Sequence, residues 1–220
     1  MPILAIDTAS RWTAIGLYDE QTDTVLSETG WYATLRQTVE LAPAISRQID
    51  DAQLEFADLT GIAVAIGPGS YTGLRIGLAV AQGIATVYGM PIAAIDTHDI
   101  VSAAVPANHS PMFVIVEAGR KRILQLRYKW EDDVWKSVGD VDNSTWEELL
   151  GAISEPCLMA GEIPEEIQSK INASCDFISI VDSQISNRSA GVLARLGYQQ
   201  IQSDQIPVQE NLMPNYLRNP

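Results

Sequence analysis

The chain has 220 residues, 46% of them hydrophobic, and carries 14 Lys and Arg against 28 Asp and Glu, a net charge of −14; that length fits one large domain or two small ones. Such a balance excludes a protein that grips nucleic acid unaided, because neutralising phosphates takes a cationic face; if the chain works on RNA, another protein holds the RNA. Two cysteines (Cys157, Cys175) and two histidines (His98, His109) form neither a zinc pattern nor an HExxH pair. No run of eighteen apolar residues predicts a membrane span. The start Met1-Pro2-Ile3-Leu4-Ala5-Ile6-Asp7 lacks the basic region of a signal peptide, so a cytoplasmic, reduced protein is expected.

In chain order, Ile3 to Asp7 is an apolar run ending in a carboxylate and reads as a buried strand. Trp12 to Tyr18 and Thr24 to Trp31 are two more strands, with Gly and Asp marking the turns. The pattern then switches to helical period from Leu35 to Ile49, with Leu35, Val39, Ala42, Ile45 and Ile49 on one face. A strand from Gly61 to Ile66, a glycine loop, a helix from Leu74 to Tyr88 stopped by Gly89 and Pro91, and a strand from Pro91 to Ile95 complete the order β-β-β-α-β-α-β.

The second half partly repeats that order. Met112–Val116, Arg122–Trp130 and Val134–Val138 are expected strands, and Thr145–Leu150 a short helix with Ser144 as a candidate cap. Pro156–Ala160 and Phe177–Ile180 read as strands around a short helix from Glu165 to Ile171, Asn187–Gly197 as a last helix, and the chain from Ile206 as irregular. The parallel orders suggest a duplicated α/β architecture, with the join near Asp96 to Ser110.

The loop Gly67-Pro68-Gly69-Ser70-Tyr71-Thr72-Gly73 lies between a strand and a helix, where backbone N–H groups can cradle an anion. Asp7, Thr8, Gly67, Gly69, Ser70, Thr72 and Gly73 are therefore a candidate vestigial phosphate loop. Against that, the spacing is GxGxxxG, Pro68 removes one N–H, and no Lys-Ser or Lys-Thr follows. The competing reading is a tight turn that lets the helix pack on the sheet, with Ser70 or Thr72 as its cap.

From Leu74 to Tyr88 the only charge is Arg75, and Gly73, Gly77, Ala81 and Ala85 recur at i+4 as a smooth stripe. A helix apolar all round is expected to be buried all round. One side belongs on the sheet. The other meets a second helix, in this chain or in a partner, and the sequence leaves those two alternatives open. No Gly-x-Ser-x-Gly elbow surrounds Ser70.

Three stretches together resemble the bacterial TsaB (YeaZ) family, which takes part in making threonylcarbamoyladenosine in tRNA. They are Ile3-Leu4-Ala5-Ile6-Asp7-Thr8-Ala9, Gly67 through Leu74-Arg75-Ile76-Gly77, and Pro214-Asn215-Tyr216-Leu217-Arg218. The resemblance implies an actin-like fold of the sugar kinase/Hsp70/actin class, with two duplicated-type α/β domains and mixed sheets. These would span residues 1–98 and 99–220, with the tail able to pack back on the first. It also implies an accessory, non-catalytic subunit that binds a TsaD-type catalytic paralogue together with a TsaE-type ATPase. Such a subunit forms a homodimer when alone and meets tRNA only through the complex. It has no cofactor or metal of its own, ATP and a metal being expected on the partner proteins.

The partner interface is then expected on Leu35, Val39, Ala42, Leu74, Gly77, Leu78, Ala81, Ile84, Ala85 and Tyr88. Two positions depart from the family pattern. Gln37 stands where relatives often have His, and Glu117-Ala118-Gly119-Arg120 where they often have Asp-Ala-Arg. The alternative enzyme reading is a nucleotide-dependent phosphotransferase built on Asp7 and the glycine loop. A protease, as the older glycoprotease-like family label suggests, ranks last for want of a nucleophile–base pair.

Overall fold

The computed structural model describes residues 2–33, 36–183, 188–203 and 212–215. The chain divides into two compact units, one from the described residues of 1–100 and 189–217, the other from those of 101–188.

In the first unit, strands β1 (Pro2–Asp7), β2 (Trp12–Asp19), β3 (Thr24–Tyr32), β4 (Gly61–Gly67) and β5 (Ile92–Asp96) form a mixed sheet in the order β3-β2-β1-β4-β5. The first three make an antiparallel meander, and β4 and β5 join parallel to β1 through helical crossovers. Strand side chains alternate between faces, and the sequence uses that alternation to make the two faces unequal. Leu4, Ile6, Ile62 and Val64 meet Leu41, Ile45 and Ile49 of helix α1 (Gln37–Asp51) and Leu78, Ala81 and Ala85 of helix α2 (Tyr71–Tyr88).

The opposite face carries smaller residues. There Ala5, Ala14, Ala63, Ala65 and Ala93 receive Ala190, Leu193 and Ala194 of a helix from the end of the chain. This helix, Ala190–Gln202, lies so close that a Cβ on Gly197 would come within 2.3 Å of Ala63 Cβ. Its N-terminus is held by Glu28 of β3, whose carboxylate accepts from the Ala190 N–H at 2.8 Å and the Ser189 hydroxyl at 2.9 Å. A carboxylate there also complements the helix dipole.

The second unit repeats the topology. Strands β6 (Met112–Gly119), β7 (Arg122–Glu131), β8 (Val134–Thr145), β9 (Cys157–Gly161) and β10 (Ile178–Ile180) lie in the order β10-β9-β6-β7-β8. Ile115, Ile123, Met159 and Ile178 bury one face against Leu149 of helix α4 (Trp146–Ala152) and Ile171 of helix α5 (Glu165–Ser174). Val114, Leu126, Tyr128 and Ala160 bury the other, with Val101 and Val105. Helix α3 (Thr97–Ala104) crosses the division between the units, and the helix Ala190–Gln202 is α6.

Several sequence expectations change here. Helix α6 belongs to the first unit, although its position in the chain puts it in the 99–220 domain, because the alanine face of the first sheet receives it. Strand β8 runs to Thr145 rather than Val138. Gly139, at φ +81°, bends the strand without ending it, and the polar run after it resembles a turn. The cap of α4 is Thr145, which forms a capping box with Glu148, not Ser144. Helix α3 has no counterpart in the sequence pattern. Of the expected last helix, Asn187 lies outside the described residues, as does the chain at 206–211.

Candidate functional site

Two of the stretches that carry the family resemblance, with Pro214 and Asn215 of the third, converge at the carboxyl ends of β1 and β4. Asp7 ends β1, is buried, and accepts the Ala9 N–H at 2.8 Å. Thr8 donates its hydroxyl to the Gly73 carbonyl at 2.7 Å, and Ala9 O accepts the Ser70 N–H at 2.6 Å. Ser70 caps α2 by accepting from the Gly73 N–H at 3.2 Å. At Gly67, where φ is +110°, the chain from the C-terminal region is pinned. Asn215 N donates to Ile66 O at 2.7 Å, and its side-chain amide reaches Asp96 at 3.3 Å. Tyr216, Leu217 and Arg218 lie outside the described residues.

The loop glycines admit protein. A Cβ on Gly69 would lie 2.2 Å from Ala9 O, one on Gly73 2.0 Å from Thr8 O, and one on Gly77 2.3 Å from Thr8 Oγ1. The space that glycines give a phosphate in a binding loop is here filled by the Thr8–Ala9 backbone. Two of the amides that would face an anion are already used, Ser70 N by Ala9 O and Gly73 N by the Ser70 hydroxyl. Asp7, Thr8, Gly67, Gly69, Ser70 and Gly73 thus form one tightly bonded turn, with Thr72 exposed beside it. Sequence reasoning missed Gln37 as a member. Its amide donates to Ser10 O at 2.9 Å and Thr13 Oγ1 at 2.8 Å, tying α1 to the same turn.

The small-residue stripe also lands elsewhere than on a partner. Leu74, Gly77, Leu78, Ala81 and Ala85 all face the sheet, and Ala81 is 0% exposed. Nor is α2 buried all round. Tyr71, Thr72, Arg75, Ala79, Gly83, Thr86, Val87 and Tyr88 are exposed, Val87 at 74%, and nothing lies within 4 Å of where a Gly83 Cβ would be. Ile84 is half-buried. On α1, Val39 and Ala42 are exposed, and Leu35 lies outside the described residues. Of the ten residues expected at an interface, Val39, Ala42 and Tyr88 face outward. Ala79, Gly83 and Val87 are also exposed, on a face of α2 that the i+4 stripe did not reveal.

One histidine and one cysteine are tied into structure. His98 is buried, with its N–H and ring both on Asp96 Oδ1, at 2.8 and 3.0 Å. Burial pushes the Cys157 thiol up to about 11, so the thiolate nucleophile is scarce at neutral pH. Among the described residues no three His, Cys, Asp or Glu side chains are grouped to hold a metal ion, and no helix is long and apolar enough to cross a membrane.

Two α/β units with the same five-strand order, each with a helix after its third and fourth strands, define a protein of the actin-like fold class. The family model for TsaD, tRNA N6-adenosine threonylcarbamoyltransferase, matches residues 33–185. The chain is 29% identical over 99% of its length, and 94% of the relative's, to the tRNA threonylcarbamoyladenosine biosynthesis protein TsaB of Bacillus subtilis. It is 28% identical to a tRNA N6-adenosine threonylcarbamoyltransferase of Persephonella marina, covering 60% of this chain and 43% of that one. The crystal structure of YeaZ from Pseudomonas aeruginosa superposes with a TM-score of 0.77 at 17% identity, covering 98% of this chain and 100% of that one. The chain belongs to the TsaB (YeaZ) family, within the wider threonylcarbamoyltransferase family.

Proposed function

We propose that this chain is a non-catalytic accessory subunit that docks on a TsaD-type catalytic paralogue and supports threonylcarbamoyl transfer to the tRNA adenosine next to the anticodon, in the cytoplasm. One observation carries the reading. The outward face of α2 is exposed yet nearly uncharged, with Ala79, Gly83, Thr86 and Val87 in a row, and α1 also exposes Val39 and Ala42. A low-charge helical face with small residues lets a partner helix approach closely and costs little desolvation.

The same face serves a homodimer when the paralogue is absent. A TsaE-type ATPase joins the pair, and ATP and metal are bound by the partners. The phosphotransferase alternative is disfavoured because Thr8 and Ala9 occupy the loop where the phosphate would lie. Co-expression with the catalytic paralogue tests the proposal. A stable complex that transfers threonylcarbamoyl faster than the paralogue alone is expected. Micromolar ATP–Mg²⁺ binding by this chain alone, with no complex, would support the phosphotransferase instead.

A further inference from the structure

The first unit is electrically polarised along its strands. Registers Asp7↔Ala14 and Trp12↔Tyr32 place the ends of β1 and β3 and the start of β2 at one end, and the N-termini of α1 and α2 lie there too, joined by Gln37 to Ser10 and Ser70 to Ala9. Registers Pro2↔Asp19 and Asp19↔Thr24 define the opposite end, where both helices finish.

The first hundred residues hold four arginines, no lysine and twelve carboxylates, and α6 adds one exposed arginine, Arg195, near Tyr18 and so toward the far end. Three of the four arginines, Arg11, Arg36 and Arg75, are exposed at the loop end. Of the carboxylates there, Asp99 is exposed in the first turn of α3, and Asp7, Glu40 and Asp96 are engaged. Asp7 is buried on Ala9 N, Glu40 holds Trp31 Nε1 and Arg36, and Asp96 holds His98 and Asn215. Asp19, Asp23, Asp50, Asp51, Glu55 and Asp58 gather at the far end.

Two tyrosines stand among the arginines. Tyr32 is 75% exposed, edge-on to Trp12 at 5.0 Å, and Tyr71 is 57% exposed with the Arg75 guanidinium 5.3 Å over its ring. Exposed rings interleaved with guanidinium groups suit stacked bases joined by phosphates. The helix N-termini favour the same sign of ligand. A glutamate-rich peptide, which has no planar bases, would use the arginines and gain less from the rings.

We propose that the loop end of the first unit is a contact for single-stranded RNA, which takes its phosphates on Arg11, Arg36 and Arg75 and stacks a base on Tyr32 or Tyr71. This rests on the reading that the chain works in a tRNA-modifying complex. The contact is auxiliary: a net charge of −14 keeps the chain's own affinity for RNA weak and confined to low salt, but the far-end carboxylates turn the repulsive side away from RNA that a partner delivers.

NMR titration of the isotope-labelled chain with an unstructured RNA dodecamer at low salt tests it without any partner, so a failure here is separate from a failure to form the complex. Shifts should concentrate at residues 10–12, 32–33, 36 and 71–75. Three phosphates on single-stranded RNA predict a roughly twentyfold loss of affinity between 50 and 200 mM salt. Arg11→Gln/Arg36→Gln/Arg75→Gln should abolish the shifts, and Arg47→Gln should leave them. Tyr32→Ala should weaken RNA binding about tenfold and binding of a glutamate-rich peptide by less. No shifts at low salt, shifts elsewhere, or equal affinity for that peptide would overturn the proposal.

Discussion

The two strand-to-helix turns at the ends of β4 and β9 occupy equivalent places in two units of equal topology, yet they are built differently. Both open with a glycine at a similar left-handed angle, Gly67 at φ +110° and Gly161 at φ +103°. In the second unit one close approach suffices. A Gly161 Cβ would lie 2.2 Å from Ile115 O, the next residue's N–H bonds to that same carbonyl, and α5 starts after Pro164 with no side-chain cap. In the first unit Gly69, Gly73 and Gly77 follow, each under Thr8 or Ala9, with Ser70 as cap. The extra glycines lower α2 onto its own sheet and the first turn. What that leaves for another molecule is the other face of α2.

Glycine replacement separates the two turns most strongly. Gly73→Ala puts a methyl into the Thr8 carbonyl, a rigid obstacle, and should cost about 3 kcal/mol, lowering Tm by roughly 6–12 °C. Gly161→Ala combines a similar clash with positive φ and should cost at least as much. Hydrogen exchange should show the loosening in the first unit for Gly73→Ala and in the second for Gly161→Ala. Gly83→Ala, with open space around it, should be neutral or stabilising by about 0.5–1 kcal/mol. If Gly73→Ala and Gly83→Ala melt alike, the filled-loop account fails.

Next in size is Arg188→Ala. Arg188 is 5% exposed and donates to Glu162 Oε1 at 2.7 Å, while Glu162 Oε2 accepts the Glu117 N–H at 2.8 Å. Removing the guanidinium leaves a partly buried carboxylate and should cost about 3 kcal/mol or less, read as a fall in the denaturation midpoint with second-unit amides exposed first. The first-unit turn uses a neutral link instead, so Thr8→Val, which deletes the hydroxyl on Gly73 O, should cost only about 1 kcal/mol. A larger loss from Thr8→Val than from Arg188→Ala would reverse the comparison.

The smallest effect is in pH. A hydrogen bond to Asp23, with burial, holds the Tyr18 phenol up to about 12. Its neutral form is favoured in the fold, so that stabilisation is complete below pH 10 and is lost as pH rises through about 12. Ultraviolet titration of the seven tyrosines should show a late ionisation that Asp23→Ala moves back toward 10.

The order of strands along the chain, the helix after the third strand and a cap at Ser70 or Thr72 are legible in the sequence because local periodicity and turn chemistry decide them, and the parallel order of elements in the two halves suggests the duplication. The direction in which α2 faces is not. Gly73, Gly77, Ala81 and Ala85 form a stripe that suits a partner's helix as well as the chain's own turn, and only the position of the Thr8 carbonyl, 65 residues away in sequence, decides between them. The return of α6 to the first sheet was hidden for the same reason. Its alanine-lined seat and the Glu28 carboxylate that anchors it come from distant strands.

The most direct test of the central claim pairs two substitutions two residues apart, about half a turn, on α2's opposite faces. Ala79→Arg lies on the exposed face and Ala81→Arg on the buried one. Co-purification with the catalytic paralogue, alongside thermal melting, should show Ala79→Arg folded as the parent but unable to bind, and Ala81→Arg unfolded or strongly destabilised. An Ala79→Arg chain that binds the paralogue like the parent would contradict the account.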